Sequence, residues 1–156
     1  MNKEQHFLNV KDNELESILV DILKIEQVDN IIELGAGKGD FTKTFMNSGR
    51  HIVSYEIEES FRDEFERNTI NATFYVRDIK NNIYMDDKDI IVSAPPYTLL
   101  PFINDKYIKP KNMRYILMVS ERCLKLFKDY KIIYNLFPDD FIPQSKGKHF
   151  IITNII

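Results

Sequence analysis

A glycine-rich turn after a short apolar strand constrains the fold of this 156-residue chain more than any other feature. Ile31 and Ile32 lead into the segment 33–39, Glu-Leu-Gly-Ala-Gly-Lys-Gly, in which three glycines alternate. Glycine allows a sharp backbone turn and lets a ligand approach where a Cβ would collide. A dinucleotide fingerprint would place its third glycine at position 40, which is Asp40. The segment therefore predicts a nucleotide-binding turn that differs from the dinucleotide fingerprint. An ordinary strand-to-helix turn without a ligand is the simpler alternative.

The composition predicts one globular domain that covers residues 1–156. The chain is 44% hydrophobic and 29% charged, with one cysteine and three scattered histidines, so we expect no disulfide and no metal site. It has no apolar run of membrane-spanning length, and its first residues lack the pattern of a signal peptide. These features fit a reducing cytoplasm, and the oligomeric state stays open.

The charge balance argues against a wide surface for gripping nucleic acid. The chain has 24 acidic and 21 basic residues and a net charge of −3. A local basic patch remains possible, because two groups of basic residues fall close together in the sequence. They are Lys106, Lys109, Lys111 and Arg114, and Lys125, Lys128 and Lys131. Solvated lysines on the surface are the simpler interpretation of both groups.

Strand-like and helical segments alternate along most of the chain. The strand-like runs are 30–34, 51–55, 72–76, 89–93 and 113–119, and the helical stretches lie near 15–23, 40–48, 59–68, 98–108 and 120–129. This order predicts an α/β fold with a doubly wound, mostly parallel sheet. Two further β-rich runs, 132–137 and 150–155, flank a turn-rich segment. They predict a terminal hairpin that completes seven strands and places an antiparallel strand at the sheet edge.

Acidic residues end three successive predicted strands. Ligands bind at the carboxyl ends of strands in open α/β sheets, and Glu33, Glu56 and Asp78 stand at such ends. Each alone is more typical of a surface carboxylate, but together with the glycines they indicate an S-adenosyl-L-methionine (SAM) site. Glu33 would lie near the methionine ammonium, and Glu56 would accept the ribose hydroxyls. Asp78 would accept the adenine amine, and Ile79 would cover the ring.

The segment Pro95-Pro96-Tyr97 follows the fourth predicted strand. Two prolines fix a stiff, extended backbone whose carbonyl groups point outward, and an aromatic ring after them can stack on a planar group. A rigid loop with a packed tyrosine is the alternative.

These motifs resemble those of class I SAM-dependent methyltransferases, and more closely those of the ribosomal RNA adenine dimethylases, which include the erythromycin-resistance methylases. The resemblance covers nearly the whole chain in order. The matching segments are Gln5-His6-Phe7-Leu8, residues 33–39, Glu56-Ile57, Asp78-Ile79, residues 94–97, residues 117–122 and Phe141-Ile142-Pro143.

The resemblance implies a Rossmann-like methyltransferase fold, SAM as cofactor and methylation of an adenine amine in RNA or DNA. It assigns the cofactor to Gln5, Phe7, Glu33, Gly35, Gly37, Glu56, Ile57, Asp78, Ile79 and Ala94. It assigns the catalytic loop to Ala94, Pro95, Pro96 and Tyr97.

The chain departs from the family pattern in ways that affect function. Ala94 stands where the family has an asparagine that holds the target amine, and Ser93, one residue earlier, would point elsewhere. The family's helical C-terminal domain is not expected here, and the chain is acidic where relatives that bind RNA tend to be basic. We therefore expect impaired or altered catalysis and weak RNA binding. Two alternatives remain: a catalytically silent SAM-fold module, and a methylase of a small amine or a protein side chain.

Overall fold

A seven-stranded sheet forms the centre of the structure, a computed structural model that describes residues 7–10, 13–25 and 27–155. The strands are β1 (Phe7–Leu8), β2 (Asn30–Leu34), β3 (His51–Glu56), β4 (Ala72–Val76), β5 (Ile90–Ser93), β6 (Arg114–Ser120), β7 (Lys131–Leu136), β8 (Phe141–Ile142) and β9 (His149–Thr153). The main sheet has the order β4-β3-β2-β5-β6-β9-β7, and β1 pairs with β8 in a separate two-stranded sheet.

The pairing confirms the predicted α/β fold with a mostly parallel sheet. Strands β4, β3, β2, β5 and β6 run parallel to one another. The terminal hairpin supplies the antiparallel edge, because β9 pairs antiparallel with both β6 and β7. The hairpin is more deeply embedded than its place in the sequence suggests: β9 inserts beside β6, and β7 becomes the outermost strand.

The first helix slightly exceeds its predicted range, whereas the later α-helices are shorter than the sequence predicted. Helix α1 spans Glu14–Ile25, α2 spans Arg62–Asn68, and α3 spans Leu100–Ile103 and continues as a π-helical turn over Asn104–Ile108. Short 3-10 segments occupy Thr42–Ser48, Glu59–Phe61, Tyr97–Leu99, Lys109–Lys111, Glu121–Leu126 and Pro138–Asp140. Two of the predicted helices, near 40–48 and 120–129, are therefore 3-10 segments.

The residue types account for this difference at Thr42–Ser48. The segment is rich in threonine, asparagine and serine, which are weak helix formers, and glycines with positive φ stand on both sides of it, Gly39 at +93° and Gly49 at +75°. The chain therefore has room for about two turns of the tighter helix before it must enter β3.

Alternate residues of the buried strands supply two hydrophobic cores, one on each face of the sheet. Ile31 packs in the core with α1 and Phe45, whereas its neighbour Ile32 packs in the core with Leu100 and Ile103 of α3. Burial of both faces explains why the central strands are nearly continuous runs of isoleucine and valine. In the part of the chain that the structure describes, no helix is long and apolar enough to cross a membrane.

The strand order places a crevice at one end of the sheet. The chain passes from β2 to β3 on one side, and β5 pairs with β2 on the other. In open α/β sheets, ligands bind at such a switch point, outside the carboxyl ends of the strands. The glycine turn and the proline loop follow strands that end at this crevice, and Glu56 is the last residue of β3 at the same edge.

Candidate functional site

The glycine turn after β2 is fastened to the neighbouring strand by backbone hydrogen bonds. The amides of Gly35 and Ala36 both donate to the carbonyl of Tyr55, at 2.9 and 3.1 Å. The amide of Gly37 donates to Oε1 of Glu56 at 2.7 Å. Gly37 has φ +55°, a conformation that side chains rarely adopt, so the turn depends on glycine at this position.

Glu56, at the end of β3, is the polar anchor of the site. Its side chain is 6% exposed, and its second carboxylate oxygen, Oε2, accepts a hydrogen bond from the amide of Glu58 at 2.9 Å. Each carboxylate oxygen has two lone pairs, so each can accept one more hydrogen bond from a ligand. The two backbone donors fix the carboxylate in one orientation.

A cavity of about 840 Å³ lies over the glycine turn and brings together most of the predicted site residues. It is lined by Phe7, Gly35, Gly37, Glu56, Ile57, Asp78, Ile79, Ala94, Pro95 and Pro96. The predicted residue Gln5 lies outside the described residues. Such a volume is in the range of small-molecule and cofactor sites.

Phe7 covers the glycine turn from the side of the chain's first segment. Its ring packs edge-on against Phe61, with 6.1 Å between ring centroids, and the Lys38 ammonium lies 4.3 Å from its centroid. A Cβ added to Gly37 would come within 3.8 Å of the Phe7 ring. The ring therefore lies close against the turn and forms one wall of the cavity.

The residues that follow β4 supply another wall. Oδ1 of Asp78 accepts a hydrogen bond from the amide of Lys80 at 2.9 Å, which closes the turn. Ile79 is buried, and its carbonyl accepts a hydrogen bond from the Tyr107 hydroxyl. Ile57 also lines the cavity but is 60% exposed. An apolar slot with a carboxylate at its edge results.

Glu33 occupies a different position from the other predicted cofactor residues. It is fully buried and does not line the cavity formed by the described residues. Its Oε1 accepts hydrogen bonds from Thr42 Oγ1 at 2.5 Å and Ser54 Oγ at 2.7 Å, while its Oε2 has no partner among the described residues. Burial raises the pKa of Glu33 to about 7. In this arrangement Glu33 links β2 to Ser54 of β3 and to Thr42 through buried hydrogen bonds.

Asp40 lines the cavity and was missed by the sequence reasoning, which used it only to exclude a dinucleotide fingerprint. Burial raises the pKa of its carboxyl group, and Lys43 lies 3.6 Å from Oδ1. Its Oδ2 is buried without a hydrogen-bond partner among the described residues. Its position directly after the third glycine was the signal that could have identified it.

Tyr97, in the proline loop, is held by a histidine from the last strand. The Tyr97 hydroxyl lies 2.5 Å from Nδ1 of His149, and the two rings stack with centroids 5.3 Å apart. His149 Nε2 lies 2.9 Å from the Lys146 carbonyl, which can only accept, so Nε2 carries the proton and Nδ1 accepts from Tyr97. Burial raises the pKa of the Tyr97 hydroxyl, which stays protonated. One face of the predicted stacking plate is therefore covered by His149.

A second, much smaller recess of about 40 Å³ adjoins the large cavity. Ala94, Pro95, Pro96 and Met118 line both spaces. Tyr97, Phe141, Ser145 and His149 complete the recess. Ser93 does not line either space and donates instead to the Leu34 carbonyl at 2.5 Å, as the alternation along the strand predicted.

Solved structures of similar shape identify the fold class. The chain resembles a dimethyladenosine transferase from Plasmodium falciparum with a TM-score of 0.73 and 17% identity, over 95% of this chain and 62% of that one. It resembles the 23S rRNA methyltransferase ErmE equally well, with a TM-score of 0.73 and 16% identity, over 94% of this chain and 68% of that one. The fold is therefore that of the Rossmann-like methyltransferases.

Sequence comparison defines the family. The family model described as ribosomal RNA adenine dimethylase matches residues 2–131. The chain belongs to the ribosomal RNA adenine dimethylase family. A relative from Thermotoga maritima, ribosomal RNA small subunit methyltransferase A, is 24% identical over 115 residues, which make up 72% of this chain and 41% of the relative. The chain spans less than two thirds of the length of the curated relatives it matches.

Family membership confirms the resemblance found in the sequence, and SAM is the cofactor of this family. The site fits that molecule. A SAM molecule carries a ribose, an adenine and an ammonium group, and the cavity offers a fixed carboxylate, an apolar slot and a second, half-buried carboxyl group in Glu56, Ile79 and Asp40. The single-domain prediction for residues 1–156 stays a prediction.

Proposed function

We propose that this chain is a SAM-dependent methyltransferase that acts on the exocyclic amine of an adenine in RNA. The observation that carries the proposal is the junction of two spaces at the proline loop. A large cavity with a polar anchor meets a small recess along Ala94, Pro95 and Pro96. A cofactor in the first space and an acceptor group in the second would face each other across this loop.

The cofactor residues follow from the contacts in the large cavity. Glu56 would accept the two ribose hydroxyls with the lone pairs that its backbone donors leave available. Asp78 would accept the adenine amine, with Ile79 and Ile57 on the faces of the ring. Asp40 is the better candidate than Glu33 for the methionine ammonium, because Asp40 lines the cavity and Glu33 does not.

Methyl transfer depends mainly on how the acceptor amine is positioned relative to the methyl group. SAM held by Glu56, Asp78 and Asp40 would supply an electrophilic methyl group on its sulfonium, and the acceptor nitrogen would form the new N–C bond with the neutral thioether as leaving group and release of one N–H proton. The residues of this chain orient the acceptor and exclude water. The carbonyl groups of Ala94 and Pro95 would accept the amine hydrogens, since the Ala94 side chain cannot.

Basic residues near the cavity support an RNA substrate. Lys38, Arg77 and Lys80 line the large cavity. The lysines proposed from the sequence are less available, because Lys109 pairs with Asp105 at 3.2 Å and Lys111 donates to the Met85 carbonyl. We expect RNA binding by this chain to be weak and salt-sensitive.

A catalytically silent module is the second candidate, and Ala94 favours it. The residue offers no side-chain hydrogen bond to a target amine, and the loss of one such contact commonly costs on the order of 100-fold in rate. A methylase of a small amine or a protein side chain is the third candidate, which the small recess favours because it would admit a slender group.

The test combines binding with transfer. SAM and its demethylated product, S-adenosylhomocysteine, are titrated calorimetrically into the protein and into Glu56→Ala, and labelled SAM is then offered with RNA, DNA and a protein lysate. Transfer to RNA adenine by the parent protein supports the proposal. SAM binding without transfer to any acceptor supports the silent module, and transfer only to protein or small amines supports the third candidate.

Restoring a side-chain acceptor sharpens the result. Ala94→Asn places a carbonyl group at the same position of the loop, and we expect transfer to adenine to rise about ten-fold or more, which is about 1.4 kcal/mol in the barrier. Robust transfer by the parent with no gain in Ala94→Asn would show that the backbone carbonyl groups suffice.

A further inference from the structure

Ser145, in the loop before β9, has a buried hydroxyl group without a hydrogen-bond partner among the described residues. The side chain is 7% exposed and lines the small recess beside Ala94. A buried hydroxyl group without a partner costs stability and is therefore uncommon in folded proteins. Such a group at the wall of a cavity points to a partner that arrives with a ligand.

The other polar side chains of the recess are already engaged. The Tyr97 hydroxyl donates to His149 Nδ1, and His149 Nε2 donates to the Lys146 carbonyl. The remaining lining side chains, Ala94, Pro95, Pro96, Met118 and Phe141, offer no conventional hydrogen-bonding group, apart from a weak thioether acceptor in Met118. Ser145 Oγ is thus the side-chain oxygen of the recess that has no partner among the described residues, whereas the Tyr97 hydroxyl is already oriented by His149.

The size of the recess limits what that group is. A cavity of about 40 Å³ exceeds the roughly 10–15 Å³ that one water molecule requires, yet it is far smaller than the large cavity next to it. It accepts an amino group but not the ring that bears it. The ring would remain at the junction of the two spaces, beside Pro95 and Pro96.

We propose that Ser145 Oγ accepts a hydrogen bond from the amine that receives the methyl group, and so contributes the side-chain contact that Ala94 cannot make. The inference rests on the proposed function for the identity of the acceptor. An N–H of the amine donates to Ser145, a second N–H is left for the carbonyl groups of Ala94 and Pro95, and the nitrogen lone pair points toward the large cavity.

The test compares two nucleosides that differ in the amine. Adenosine and purine riboside, which lacks the exocyclic amine, are titrated into protein saturated with S-adenosylhomocysteine, so that the cofactor cavity is filled. We expect the parent to bind adenosine more tightly than purine riboside, and Ser145→Ala to reduce that preference about five- to ten-fold while purine riboside binds as before. Ser48→Ala is the matched control, since Ser48 bonds to the Arg50 amide at the other end of the sheet.

Each other outcome has a definite meaning. An unchanged preference for adenosine in Ser145→Ala overturns the inference, and so does the absence of adenosine binding to the parent. Titration of SAM into the same proteins distinguishes failure of this inference from failure of the proposed function. If the parent does not bind SAM, the proposed function itself is overturned. Should Ser145→Ala fail to fold, Ser145→Cys, which keeps the size with a weaker hydrogen-bonding thiol, replaces it.

A coupled measurement of transfer extends the test. If Ser145 acts in the place of a side chain at position 94, Ser145→Ala lowers transfer to RNA about ten-fold in the parent and less in the Ala94→Asn background. Equal losses of transfer in both backgrounds would show that positions 94 and 145 act independently. That result would contradict the inference that Ser145 makes the contact that a side chain at position 94 would otherwise make.

Discussion

The large cavity and the small recess are built in opposite ways. The cavity is formed by residues at the ends of successive parallel strands, and its polar anchor, Glu56, is held by the amide of Gly37 after the neighbouring strand and by the nearby amide of Glu58. The recess is formed by the proline loop and the last strand, joined by a tyrosine–histidine contact that spans 52 positions of the sequence. The cavity therefore follows from the topology of the sheet, whereas the recess depends on a few long-range side-chain contacts.

This difference has a functional consequence. A site made by strand ends and backbone hydrogen bonds tolerates changes in most neighbouring side chains, as long as the glycines and Glu56 remain. A site lined by Tyr97, His149 and Ser145 rests on single side chains, so we expect its specificity to respond when any one of them is changed. We expect the cofactor half to be robust and the acceptor half to determine the substrate.

The largest expected effect concerns Glu33, the buried acid of β2. The pKa of Glu33 is about 7 in the folded protein, whereas an exposed glutamate has a pKa of 4.5. Folding favours the protonated form of Glu33. Its contribution to the free energy of unfolding, on the order of 3 kcal/mol, is therefore fully present below pH 4.5 and is lost as the pH rises through 7. Glu33→Gln should remove this pH dependence, as measured by urea unfolding from pH 4.5 to 8. Parallel curves for the two proteins would contradict the burial of a neutral carboxyl group.

The glycine turn is the next most sensitive feature of the cofactor half. Gly37→Val forces a side chain into φ +55° beside Phe7 and disturbs the amide that holds Glu56. We expect SAM affinity to fall by about 100-fold or more, which corresponds to about 2.7 kcal/mol. Gly49→Val is the control, because its φ is +75° with open space around it, far from the cavity. Both variants should lose stability, but loss of SAM affinity in Gly49→Val as well would remove the distinction.

Glu56→Ala probes the carboxylate assigned to the ribose. The variant leaves the amides of Gly37 and Glu58 without their acceptor and removes the charged partner of the ribose hydroxyls. SAM binding should weaken by about 1–3 kcal/mol in calorimetric titration. Glu66→Ala serves as the control, because that side chain is exposed and lies near Arg62. If SAM affinity is unchanged in both Glu56→Ala and Gly37→Val, the site is assigned wrongly.

The smallest expected effect lies in the acceptor half. Tyr97→Phe keeps the stacked ring and removes the hydroxyl that bonds to His149. We expect unfolding stability to fall by about 1 kcal/mol. SAM affinity should stay unchanged while methyl transfer declines. A drop in SAM affinity as large as the drop in transfer would mean that the two halves of the site are not separable.

Much of the fold could be predicted from the sequence because buried parallel strands leave a plain signal. The runs 30–34 and 72–76 are the strands β2 and β4 with the same bounds. The place of β9 between β6 and β7 could not be predicted, because pairing between distant strands leaves no mark in either segment. The two-residue strands β1 and β8 are too short to show any periodicity.

The candidate site divides in the same way. Glu56 and Asp78 were predicted because each ends a strand, and both line the cavity. Glu33 satisfies the same rule but is buried away from the cavity, since the rule gives the position of a residue and not the direction of its side chain. Ser145 and His149 were missed because their role depends on meeting Tyr97 across the fold.

The short pairing of β1 with β8 makes the two halves of the site mechanically continuous. Phe7 stands opposite Ile142 and Leu8 opposite Phe141, and the amide of Asn9 donates to the Asp140 carbonyl at 2.7 Å. Phe7 and Leu8 line the cofactor cavity, and Phe141 lines the acceptor recess. The β1–β8 pairing joins two segments that are separated by nearly the whole sheet in the sequence. Deletion of Phe7 and Leu8 would therefore remove a wall of the large cavity and also leave Phe141, which lines the small recess, without its paired strand.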